Sequence, residues 1–144
     1  MRSFVAWTFC VIALLFSAQL SAQIVVTKVS NMSFGDQVVG TAKIVTIAPT
    51  DSGAAVFNAT GMTAGHTLTC SVTTNPINIT NGGAGASNRV AVNNFQISGC
   101  PATVPSTGIV NGIGVGATVT INASTQQGAF TTAAANFRLV VSTY

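Results

Sequence analysis

Groups able to do acid–base, nucleophilic or metal chemistry are few and scattered in this 144-residue chain. The one histidine is His66, and the two acids are Asp36 and Asp51, with no glutamate anywhere. His66 opens an alternating stretch, which makes it a strand-edge or packing residue. Asp36 and Asp51 stand near turn glycines, where aspartate serves the local backbone rather than proton transfer. Serines abound, but no G-x-S-x-G or comparable setting activates one. Ligands for a metal ion converge nowhere along the chain. Gly112, Gly114 and Gly116 imitate a phosphate loop, yet a strand follows instead of a helix N-terminus, so the run reads as a flexible connection. Asn31, Asn58, Asn78 and Asn122 sit in N-x-[ST] sequons, which chance supplies in so Asn-, Ser- and Thr-rich a chain. These observations point away from an enzyme and away from a cofactor.

The cysteines carry more information. Residues 1–22 read as a secretory leader, with Arg2 before an apolar core at 5–16 and Ser21-Ala22 at an A-x-A-type cleavage site. The apolar run is short for a membrane span. Cys10 lies inside that core, so Cys70 and Cys100 remain as a pair. In an exported chain such a pair reads as one disulfide, which the chain-entropy argument values at about 3–4 kcal/mol.

Removal of the leader leaves about 122 residues, the size of one domain with a single core. Charged residues make up only 5% of the full sequence. Lys28, Lys43, Arg89 and Arg138 do not cluster, so nucleic acid is not an expected partner. Threonine, serine, asparagine and β-branched residues favour strands and turns over helices. Such a low-charge surface suits burial against copies of itself.

Short strands separated by turn signals follow from the pattern. Residues 43–48 form a β run stopped by Pro49, and 54–59 form a second. In 66–74, His66, Leu68, Cys70 and Val72 share one face, which aims Cys70 at the core. Residues 77–80 are a further strand, and 81–87 a Gly/Ala/Ser loop. In 89–99 the apolar phase changes at Asn93-Asn94, between Val92 and Phe95, and predicts a bulge. Residues 105–116 read as a glycine-rich loop, followed by a strand at 117–123 with Val119 and Ile121 inward. Gln127-Gly128 turns the chain into 129–131. The last strand, 136–144, places Phe137, Leu139 and Val141 on one face and Val140 and Tyr144 on the other. The expected fold is an all-β sandwich with Greek-key connections.

The Ser33-Phe34-Gly35 step, V-F-N-A-T-G at 56–61 and the strand at 65–72 resemble a family of exported bacterial β-sandwich domains. Residues 115–121, the turn at 127–130 and the terminal Tyr144 fit the same likeness, which covers nearly all of the mature chain. That family has no assigned function and is similar in style to pilin subunits, and the Cys70–Cys100 pair resembles chaperone–usher fimbrial subunits. The resemblance implies an immunoglobulin-like, pilin-like Greek-key sandwich at 35–144, preceded by a donor strand at 23–34. Such a strand completes a neighbouring subunit by β-augmentation. Ile24 and Val26, or Val25 and Val29 in the other register, would be its anchors, with the alternation broken at Thr27-Lys28. The C-terminal strand, with Phe137, Leu139, Val141 and Tyr144, resembles the segment that a periplasmic chaperone holds before delivery to an outer-membrane usher. The expected function is a subunit of a cell-surface fimbria, a homopolymer supporting adhesion or biofilm. The alternative is a surface adhesin or binding module that does not polymerise and uses loops 81–88 and 104–116.

Overall fold

The computed structural model describes residues 23–38, 40–73, 76–128, 130 and 138–144. The expected leader, Phe137, and positions 129 and 131 lie outside the described residues. The described chain is all-β, with antiparallel sheets and one short 3-10 turn at Ala86–Asn88. Strands are β1 (Val25–Ser30), β2 (Lys43–Ile47), β3 (Ala55–Thr60), β4 (Leu68–Val72), β5 (Ile77–Thr80), β6 (Arg89–Ser98), β7 (Val110–Ile121) and β8 (Leu139–Thr143).

β7 is the spine of the larger sheet. One edge carries β6 along most of its length, with a register shift between Asn93 and Gln96. That shift is the bulge expected from the change of apolar phase. Asn94 takes φ 50° there, a left-handed conformation that asparagine tolerates better than most residues. The other edge of β7 is shared by two strands: β2 pairs with its C-terminal half and β3 with its N-terminal half. Between them the chain turns at Asp51, whose Oδ2 accepts the Ala48 N–H at 2.8 Å while its own N–H reaches the Ala48 carbonyl. β1 extends this sheet beyond β3, and β5 extends it beyond β6.

The glycine-rich segment at 110–116 corrects the expectation of a loop. It is the first half of β7, exposed at Asn111 and Gly112 but buried at Val110 and over 113–116. A Cβ at Gly114 would overlap the Pro49 carbonyl, and one at Gly116 the Ile47 carbonyl. The glycines therefore admit a close approach of the chain leaving β2, which is a reason for glycine inside a strand. Read without its partner, the same composition looks like a connection.

β4 and β8 form a second, two-stranded sheet, with Leu68 opposite Thr143 and Val72 opposite Leu139. Residues 102–104 border the outer side of β4, where Leu68 N–H donates to Ala102 and Val104 N–H to His66. The Cys70–Cys100 disulfide joins β4 to the residues just past β6, with a Cα–Cα separation of 6.3 Å. It thereby ties the small sheet to the large one.

Two apolar clusters fill the interior. The first, centred on Ile113 and Val115, lies between the small sheet and the β3–β7 part of the large one. The second contains Ile77, Val90, Val92, Val119 and Ile121, on β5 and on the far halves of β6 and β7.

Candidate functional site

Two places stand out: the position of β1 and the hollow over the second cluster. β1 pairs antiparallel with β3, Val25 opposite Thr60 and Lys28 opposite Phe57, before a register shift between Lys28 and Ser30. It also comes close to β8 without sharing a ladder with it. The first strand after the expected leader thus sits at the seam between the two sheets, next to the last strand. Gly61 makes room for its start, since a Cβ there would overlap the Gln23 carbonyl.

The four expected anchors divide by face. Ile24 and Val26 are half-buried and pack against the first cluster, whereas Val25 and Val29 are 50% and 60% exposed. Of the two registers in the sequence, Ile24 and Val26 are the inward pair. The break at Thr27-Lys28 coincides with the approach to the bulge. Beyond it the inward role passes to Met32 and Phe34, while the Ser33 N–H donates to Gly53 at 2.8 Å. Along β8, Leu139 is buried, Val141 half-buried and Tyr144 largely exposed. The backbone of Tyr144 exchanges two hydrogen bonds with Thr67, each at 3.1 Å.

The second place is a cleft of about 940 Å³ above the second cluster. Val90, Val92, Val119 and Ile121 contribute to its floor, and Phe34 and Phe130 line its sides. Among the described residues β4 and β8 cover the other half of the large sheet, and this half is flanked by 31–38 and by Thr125, Gln127, Gly128 and Phe130. Lys28 and Asp36 stand at its lining. Neither side chain has a hydrogen bond or ion pair among the described residues. Sequence reasoning missed the cleft. Met32 and Phe34, alternating with polar residues past β1, are the available signal, and in the sequence alone they fit equally the end of a strand and a family motif.

The remaining polar groups hold loops. His66 is exposed at the approach to β4, and Asp51 is committed to its turn. Among the described residues no three His, Cys, Asp or Glu side chains gather to hold a metal ion. Asn58 Oδ1 accepts the Gly112 N–H at 3.0 Å, a bond within the sheet. Loop 81–88 is closed by the Asn81 N–H to Asn88 carbonyl bond at 3.2 Å, and buried Asn88 donates its Nδ2 to Ala84 at 2.8 Å. Of the other loop expected to meet a ligand, the part from Val110 onward belongs to β7. No known protein family, curated protein or solved structure matches the chain.

Proposed function

We propose that this protein is a structural subunit of a bacterial surface fibre, exported through a periplasmic intermediate and assembled by exchange of β1 between copies. In this reading the two sheets make an immunoglobulin-like, pilin-like Greek-key sandwich, with β1 in the place a donor strand fills. A periplasmic chaperone and an outer-membrane usher are the partners it implies, and β8 is the strand the chaperone holds.

The observation that carries the proposal is the seat of β1 against β3 and close to β8. Main-chain hydrogen bonds fix the strand, and the half-buried Ile24 and Val26 fill the interior at the seam. A strand from a second copy can make the same ladder and fill the same space, as exchange of an identical element between protomers requires. A head-to-tail exchange of this kind extends into a fibre. The sparse charge of the chain, 5% of residues, places little electrostatic repulsion between like copies.

Val25 and Thr60 are directly opposite in the β1–β3 ladder, which gives a direct test. Chains bearing Val25→Cys are mixed and assembled with chains bearing Thr60→Cys. Exchange predicts an interchain disulfide between the two kinds of chain. Cross-linking confined to a Val25→Cys/Thr60→Cys double variant, always within one chain, would sink the proposal. Deletion of residues 23–30 should likewise abolish SDS-resistant polymers.

A further inference from the structure

We infer that Asn81 is a site of spontaneous deamidation, a self-modification that gives loop 81–88 a carboxylate. The sequence contains two Asn-Gly steps, Asn81-Gly82 and Asn111-Gly112. Glycine has no Cβ to hinder attack by its own main-chain nitrogen on the preceding side chain, so both steps are reactive in an unfolded chain. The fold treats them differently.

At the first step the reacting groups are already assembled. Gly82 is exposed with φ 87°, and its N–H donates to Thr80 Oγ1 at 3.1 Å. Asn81 Oδ1 accepts the Gly83 N–H at 3.1 Å, which folds the side-chain amide back along the main chain that attacks it. A main-chain N–H can only donate, so this bond also fixes which side-chain atom is the oxygen. The same N–H stands where negative charge develops on Oδ1 during attack. Gly82 N forms a bond to Asn81 Cγ and sheds its proton through the Thr80 hydroxyl. The Cγ–Nδ2 bond breaks, and Nδ2 takes up a proton and leaves as ammonia. Water then opens the succinimide at either carbonyl, leaving an aspartyl or an isoaspartyl residue.

At the second step the Gly112 N–H donates to Asn58 Oδ1 at 3.0 Å, between β7 and β3. Attack there requires β7 to open first. The product at Asn81 also changes the loop. Asn81 Nδ2 donates to the Gln127 carbonyl at 3.5 Å, and a Cβ on Gly128 would come within 2.9 Å of the Asn81 Cβ. A carboxylate puts an acceptor in front of that carbonyl, which releases the loop from 127–128. A chain with two acids thereby gains a third.

Peptide mapping by mass spectrometry tests it, on purified protein aged folded at neutral pH and in parallel in urea. The folded protein should deamidate at Asn81 about tenfold faster than at Asn111, since the ladder must open before the second site reacts. In urea the two rates should converge. Thr80→Val should slow the reaction at Asn81 about threefold, as loss of one hydrogen bond to the attacking nitrogen implies, and leave Asn111 unchanged. Equal rates at the two sites of the folded protein, or a faster rate at Asn111, overturn the inference. Retention of the Asn81 amide in folded protein, while the chain in urea loses it, overturns it too. A Thr80→Val rate equal to that of the unsubstituted protein overturns the part given to the hydroxyl. None of these outcomes touches the cysteine cross-linking result, so the two readings fail separately.

Discussion

The same two long strands, β6 and β7, serve both halves of the interior, yet the halves are finished differently. Around Ile113 and Val115 the large sheet is covered by β4 and β8 and tied to them by the Cys70–Cys100 disulfide. Around Val119 and Val92 no second sheet is present among the described residues, which supply flanking segments and a cleft. Low exposure of the individual residues hides the contrast: Val115 is 0% and Val119 3% exposed. What separates them is the material opposite. A side chain facing a void has lost partner atoms on that side, and dispersion contacts with them. The closed half is therefore expected to contribute more stability than the other.

The largest expected effect attacks the strand that both halves share. Gly114→Val brings a side chain into the Pro49 carbonyl, where no rotamer relieves the overlap, and should cost more than about 4 kcal/mol. Loss of the folded state in chemical denaturation, or failure to recover soluble protein, is the expected outcome. A variant with wild-type stability would break the account of β7.

Removing the tie on the closed half comes next. Cys70→Ser with Cys100→Ser should lower unfolding stability by about 3 kcal/mol, from the entropy restored to the unfolded chain. Urea denaturation reads the loss directly. An undiminished midpoint would mean that apolar packing alone holds the two sheets together.

The smallest effect is the most discriminating. Val115→Ala should cost about 2 kcal/mol and Val119→Ala about 1 kcal/mol, because truncation in the closed half leaves a cavity with lost contacts all round. Truncation beside an existing cleft only enlarges it. Equal losses would show that the second half is packed as tightly as the first.

Much of this architecture is legible in the sequence, and the reasons are local. The faces of β4 and of the second half of β7 follow the two-residue period, so Leu68, Cys70, Val119 and Ile121 could be assigned inward from their neighbours alone. The β6 bulge was legible because a slip of one residue must move the apolar phase, and Asn93-Asn94 marks the slip. The first half of β7 was not legible, since its glycines answer to a distant carbonyl and not to their own propensities. The cleft was illegible for a related reason: it arises from the reach of the small sheet, which no single stretch encodes. The inward face of β1 lay between two registers in the sequence, and its β3 partner chose the one with Ile24 and Val26 inside.

The disulfide has a mechanical consequence as well as a thermodynamic one. Its cysteines are 30 residues apart, and the span between them includes β5 and all of β6. Tension on the two ends of the chain cannot draw that span out while the bond is intact. Each unfolding event then releases roughly 100 Å less contour length than the reduced chain would, at about 3.3–3.6 Å per residue. Covalently, the oxidised domain sets its own limit on how far it can be stretched.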